Sequence, residues 1–241
     1  MRAFAGNTYD DYYESPIAEF PLPARALLAF AACVVGAFTK VFWPWSFENS
    51  EKLWDDKRSR VIVGNHVSMH EPVVTLISLW FHGIPCRPIY KSEFDKVPLA
   101  KWFFSRIGAI PVERGTADIK CVRRVERALK RGECVLVYPE GTRIRTDDQP
   151  VEIHGGFALM ARMGKAPVQP TAVVGARQIT VQGTPFKRLF WRVYLKAGDC
   201  IEFSEMTATG RKAQCEEMER VAMERVYALR DELRAEHPGK V

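Results

Sequence analysis

The sequence predicts a single α/β domain, a central mixed sheet flanked by helices, with an apolar helix leading into it. Three observations carry this. From Arg60 onward, short apolar runs alternate with longer amphipathic ones, the pattern of strands and helices taking turns around one sheet. The run Cys134-Val135-Leu136-Val137-Tyr138 is continuously apolar and stops at Pro139-Glu140-Gly141, as a buried strand running into a turn should. And 241 residues suffice for one such domain with a full core and fall short of two. The expected organisation is a tail over 1–23, a membrane-associating helix over 24–47 and the α/β domain over 48–241.

Composition narrows the partners. Apolar residues make up 47% and charged residues 27%, ordinary for a globular chain and unlike a disordered or polytopic one. The formal charge is +6 and the isoelectric point about 9.0, which suits nucleic acid, an anionic lipid surface or a phosphorylated substrate. The six cysteines are scattered, with no Cys-x-x-Cys, and read as reduced core residues.

In chain order, Met1 to Phe20 is acidic and aromatic without a sustained period and reads as a loosely held arm. The uncharged apolar run from Ala26 to Phe38 is shorter than the ~20 residues a spanning helix needs. Extending it to Trp45 takes in Lys40, Trp43 and Trp45, residue types that anchor at a lipid–water boundary. A helix lying in one leaflet is favoured over a span or a merely buried helix. Lys52, Lys57, Arg58 and Arg60 then place the domain on the cytoplasmic face, peripheral or monotopic.

Strands are expected at Val61–Val63, Arg87–Tyr90, Ala109–Val112, Cys134–Tyr138 and Val168–Val174, and a late hairpin from Trp191–Leu195 and Ile201–Phe203. Helices are expected at Pro72–Phe81, Leu99–Ile107, Thr116–Arg131, Phe157–Met163 and Gly210–Glu236. The bases Arg123-Arg124 and Lys130-Arg131 alternate with Glu126 and Glu133, a solvated helix face rather than a nucleic-acid footprint.

Asn65-His66-Val67-Ser68-Met69-His70-Glu71-Pro72 follows the first strand. On one helix, His66 and Glu71 would point about 140° apart, so they meet only if His66 stands in the loop before it. Pro72 supports this: it favours the first helical position and pushes Glu71 out of the α region. A carboxylate on one imidazole nitrogen then makes the other a better base. Two other readings compete. Ser68-x-x-Glu71 is also a capping box, and His66 with His70 has a metal-ligand spacing if both are helical. Beyond the strongest strand, Tyr138-Pro139-Glu140-Gly141-Thr142-Arg143 sits where α/β folds bind ligands, and Arg143 with Arg145 offers forked donors for a phosphate.

Four blocks stand in order: Asn65–Glu71, Gly108–Arg114, Pro139–Arg143 and Ala166–Pro170. Together they resemble the glycerolipid acyltransferase family typified by 1-acyl-sn-glycerol-3-phosphate acyltransferase, over about Arg60 to Gly175. The resemblance implies acyl transfer from an acyl thioester (acyl-CoA or acyl carrier protein) to the free hydroxyl of 1-acyl-sn-glycerol 3-phosphate, giving phosphatidic acid. Another lysolipid acceptor, or a catalytically silent lipid-binding homologue, are the neighbouring readings. It further implies His66 as general base, Glu71 as its orienting acid, Arg114 and Arg143 on the acceptor's phosphate, and Glu140, Gly141 and Thr142 shaping that pocket. The implied partners are a membrane lipid acceptor, the thioester co-substrate and a membrane surface, with no nucleic acid, metal or other cofactor. Gly-x-Ser-x-Gly is absent, and direct attack on an activated thioester needs no such nucleophile. Three departures stand out. Glu71 replaces the family's usual Asp, His70 a usually apolar residue, and Arg145 a usually polar one.

Overall fold

A computed structural model describes residues 8–113, 118–180 and 187–241. Seven strands are β1 (Trp45–Glu48), β2 (Val61–Gly64), β3 (Cys86–Lys91), β4 (Ile110–Val112), β5 (Cys134–Val137), β6 (Val168–Val174) and β7 (Val193–Ala197). They form one sheet in the order β1-β7-β6-β2-β5-β3-β4. Pairing is parallel except between β6 and β7, which run antiparallel. The sheet is therefore mixed, as expected. The central β2 is buried throughout, consistent with its unbroken Val-Ile-Val run: a strand covered on both faces has no polar side to alternate with.

Helices cover the sheet: α1 (Tyr9–Glu14), α2 (Leu22–Phe42), α3 (Glu51–Trp54), α4 (His70–Phe81), α5 (Pro98–Arg106), α6 (Ile119–Lys130), α7 (Gly156–Gly164) and α8 (Arg211–Glu236). On one face Val125 and Leu129 of α6, Phe157 and Ala161 of α7 and Met218 of α8 close over Val61, Val63 and Val135. Ile62 and Leu136 point to the other face, with Leu79 of α4. The alternation along β2 thus splits its side chains between two cores.

Several expectations are corrected. Residues 9–20 are no loose tail. Thr8 caps α1 reciprocally with Asp11, and Tyr12, Tyr13 and Phe20 are buried. The fully buried Arg87 guanidinium donates to Tyr12 O (3.2 Å) and to Ser15 O, and pairs with Glu133 at 2.8 Å. A six-residue helix is too short to display a period, so packing and not pattern orders the arm. The apolar helix ends at Phe42, not 47, because Pro44 cannot continue it and restricts Trp43 before it. Residues 45–48 become β1 instead. The late hairpin does not form either. Gly198 N donates to Pro170 O (2.9 Å), and Ile201 bridges Val168 of β6.

The bases after α2 serve the fold. Arg60 is fully buried, donating to Gln169 Oε1 (2.5 Å) and Asp56 O (2.6 Å). Arg58 pairs with Asp56 and Glu202, and Lys52 with Asp199. Arg124, expected on a solvated face, is buried over the Tyr13 ring (4.6 Å) and bound to Asp10 (2.5 Å).

α2 is two-faced. Its small residues Ala24, Ala32 and Gly36 are buried. A Cβ on Gly36 would stand 3.2 Å from Ile77 and 3.6 Å from Phe81 of α4, so a larger residue would push the helices apart. Phe30, Val34, Phe38 and Val41 lie exposed on the other side.

Candidate active site

The site opens where β2 ends. Asn65 extends the sheet with its side chain, accepting from Val173 N (2.8 Å) and donating to Val173 O (3.1 Å). Gly64 before it lies tight against the neighbouring strands. A Cβ there would meet Thr171 Oγ1 at 2.9 Å and the Tyr138 ring at 3.3 Å. This seam holds the start of the loop, and His66 is the first side chain free to leave it.

His66 and Glu71 meet, with Nδ1 2.7 Å from Glu71 Oε1. The imidazole stacks on Tyr138, ring centres 4.7 Å apart. Glu71 is buried and accepts from Val67 N (2.7 Å), Ser68 N (2.8 Å) and Ser68 Oγ (2.7 Å) as well. Ser68 Oγ in turn accepts from His70 N at 2.8 Å. The dyad and the cap are therefore one arrangement: the carboxylate that closes the helix entrance also holds the imidazole. Pro72 does not start the helix, and Glu71 is not excluded from it. α4 begins at His70, with Glu71 in its first turn. Proline is tolerated third because first-turn amides have no intrahelical acceptor. The dyad survives because His66 lies in the loop.

His70 goes elsewhere. Its buried ring lies edge-on to Trp43, at 6.2 Å, while His66 stacks on Tyr138, so the two do not face a common ion. Among the described residues, the one grouping with metal-ligand spacing is Glu48, Glu236 and His237. Lys196 Nζ already sits 2.8 Å from Glu236 there. Burial pushes the His70 pKa down to about 4, against a smaller opposing pull from Glu71. The folded pKa lies below the unfolded ~6.5, so the unfolded chain binds the extra proton. Stability should then fall as pH drops from about 6.5 to 4, by up to about 3 kcal/mol. Denaturant midpoints across that window, compared with those of His70→Phe, measure it. A variant that keeps the full slope would assign the loss to other groups.

The Pro139–Arg143 turn clamps His66 from both sides. Glu140 Oε2 accepts from His66 N (2.7 Å), and Ile144 N donates to His66 O (2.7 Å). Gly141 has φ +61°, a left-handed turn that costs a glycine little. Glu140, expected with Gly141 and Thr142 to shape the phosphate pocket, is buried behind it, and its other oxygen accepts from Tyr227 OH of α8 at 3.1 Å. Burial raises its pKa, against the pull of the His66 amide. Tyr227 lies 87 residues away, and nothing in its local pattern marks it.

A groove of about 1710 Å³ runs past His66, Gly141, Thr142 and Arg143. Its walls are apolar, from Leu28 and Val35 of α2, Ile77 and Trp80 of α4, and Phe103 and Phe104 of α5. Arg123 of α6 also lines it, although its sequence reads as a solvated helix face. Arg114 lies outside the described residues. Arg145 is exposed, its amide tied to Gln149 (2.9 Å). The Ala166–Pro170 block is structural, with Gln169 holding Arg60. An imidazole held by a buried carboxylate thus faces an apolar groove that also carries arginine side chains.

A family model described as Acyltransferase matches residues 46–174, more than half of the chain. The chain belongs to the acyltransferase family. His66, Glu71, Glu140 and Arg143 lie within the matched stretch, whereas Tyr227, Trp43 and the α2 residues Leu28 and Val35 of the groove wall lie outside it. The acyltransferase fold recurs in the crystal structure of the 1-acyl-sn-glycerophosphate acyltransferase PlsC from Thermotoga maritima. The TM-score is 0.61 at 22% identity, over 86% of this chain and 80% of that one. Curated relatives include the chloroplastic 1-acyl-sn-glycerol-3-phosphate acyltransferase LPAT1 of Arabidopsis thaliana, 30% identical over 59% of this chain and 39% of the relative. The 1-acyl-sn-glycerol-3-phosphate acyltransferase of Bacillus subtilis is 32% identical over 44% and 53%. The lyso-ornithine lipid O-acyltransferase of Pseudomonas aeruginosa is 31% identical over 46% and 41%. The chain thus spans about half of these relatives' length or less.

Proposed function

We propose that this acyltransferase carries an acyl group from a thioester, acyl-CoA or acyl carrier protein, to the free hydroxyl of 1-acyl-sn-glycerol 3-phosphate, giving phosphatidic acid. The observation that carries the reading is the His66–Glu71 pair at 2.7 Å, opening onto an apolar groove lined by Arg143 and Arg123. With Nδ1 engaged by Glu71, Nε2 takes the hydroxyl proton. The alkoxide oxygen attacks the thioester carbonyl, and the tetrahedral adduct expels the thiolate. The proton on Nε2 passes to the departing sulfur, returning His66 neutral. Glu71 stabilises the transient imidazolium without itself accepting the proton. The intact dyad argues against a silent lipid binder.

The cationic forks favour a phosphorylated acceptor. Arg143→Ala should raise KM for the phosphate-bearing lysolipid about tenfold or more, as for loss of a charge-assisted hydrogen bond, and leave kcat nearly unchanged. An acceptor panel in detergent measures it. Preference for a lysolipid without phosphate would sink the role given to Arg143 and favour the second reading, prompted by the lyso-ornithine relative.

The reading includes a membrane site. α2 has 21 residues and a mean hydropathy of 1.8 over its apolar window, about 30 Å of helix, enough by length to cross a bilayer. Its small face is packed against α4, which favours a helix lying in the cytoplasmic leaflet with Phe30 and Phe38 in lipid.

A further inference from the structure

The exposed apolar ridge of α2 does not stop at the helix end. Phe38 packs on Phe42 (4.6 Å between ring centres), and Phe42 on Phe190 (6.1 Å) in the loop before β7. That loop, Lys187-Arg188-Leu189-Phe190-Trp191-Arg192, is pinned to the end of α2. Phe190 N donates to Phe42 O (2.6 Å), and Trp43 Nε1 to Arg188 O (2.7 Å). At its tip Leu189 and Phe190 are 53% and 68% exposed. Phe190 also holds φ +57°, strained for an aromatic residue. Water rewards neither the exposure nor the strain.

Cations gather around this tip. Lys40 lies over the Trp45 ring (4.0 Å), Arg188 over Trp191 (5.2 Å) and Lys240 over Trp191 from 3.3 Å. Lys240 is pushed below the usual lysine range by burial first, then by Arg192 and Arg188. Arg192 acts on Lys40 in the same sense. Among the described residues none of these four bases is ion-paired with an acid, unlike Arg58 and Lys52 elsewhere on the surface. Three tryptophans, two inserted apolar tips and a clustered positive charge together complement one kind of surface, a bilayer with anionic headgroups.

We propose that the 187–192 loop is a second membrane contact, which sinks Leu189 and Phe190 into the bilayer while Arg188, Arg192, Lys40 and Lys240 bind phosphates of anionic lipids. It rests on the reading of α2 as an interfacial helix. It adds to that reading a requirement for lipid charge, and a place for it away from the groove.

Flotation of the full chain with phosphatidylcholine vesicles, with and without phosphatidylglycerol, tests it. The wild type should prefer the anionic vesicles. Arg188→Gln/Arg192→Gln should lose roughly 30-fold in binding to them, from about 1 kcal/mol per base near a charged surface, with binding to the neutral vesicles unchanged. Phe190→Gly, at ease at that φ, should bind both vesicles more weakly without a lower melting temperature. Equal wild-type binding to both vesicles, or a double variant that keeps the preference, overturns the proposal. A wild type that binds neither vesicle fails the α2 reading as well, which separates the two failures. Preference for duplex RNA over anionic vesicles in the same buffer would move the patch to nucleic acid and overturn it too.

Discussion

His66→Ala is expected to lower acyl transfer by 10³-fold or more while leaving a folded protein. A positioned base contributes ~10²–10⁴ in rate, and among the described residues His66 is the groove-lining imidazole that meets a buried carboxylate. Alanine keeps the backbone bonds to Glu140 and Ile144 that fix the loop, so the loss should appear in turnover and not in melting temperature. Continuous thiol release from the thioester, with and without acceptor, reads the turnover, and a thermal melt of the same variant reads the stability. Full transfer by the purified variant would end the assignment of His66 as base.

The next largest effect is expected at Glu71. Glu71→Gln places an amide where both oxygens accept: Oε1 from His66 Nδ1, Val67 N and Ser68 N, Oε2 from Ser68 Oγ. A glutamine has one accepting oxygen, so it breaks part of the cap and loses the charge that stabilises the imidazolium. We expect a rate loss of about 10²–10³ and a destabilisation of about 1–3 kcal/mol. Glu71→Asp keeps the charge and both acceptors but is one methylene short, so it should retain part of the activity and rank between Gln and wild type. If aspartate were as inactive as glutamine, reach rather than charge would be the controlling property. Melting temperatures beside turnover numbers distinguish the two.

The alternation of strands and helices could be read because β2 and β5, in the middle of the sheet, are covered on both faces and need continuous apolar runs. The His66–Glu71 pairing could be read because a five-residue separation forces the histidine off the helix. The exact helix start could not, since a proline at the third position satisfies the same rule as one at the first. Arg87 and Arg124 were illegible for a different reason. Their carbonyl and carboxylate partners come from distant segments, so a sequence window shows only an unpaired base. Arg60 folds back onto the carbonyls of Leu53, Asp56 and Arg58 just before it, and only the distant Gln169 completes its burial. The same holds for Glu140, whose neighbours suggest a pocket wall while Tyr227 and the His66 amide turn it inward. The arm at 9–20 is the extreme case, ordered by two tyrosines and a guanidinium with no periodicity of its own.

One consequence follows from the two faces of α2. Leu28 and Val35 line the groove, and Phe30 and Phe38 look outward, so with α2 lying in a leaflet as proposed, a partition one helix thick, about 10 Å, would separate the groove from lipid. A lysolipid that had to leave the bilayer to react would expose its chain to water at about 0.8 kcal/mol per methylene. Sideways passage around such a partition removes that cost. The tail can stay in hydrocarbon throughout while only the headgroup travels to His66. On the proposed function the enzyme would then need no extraction step, and its rate should follow the two-dimensional density of acceptor in the leaflet rather than its concentration in solution.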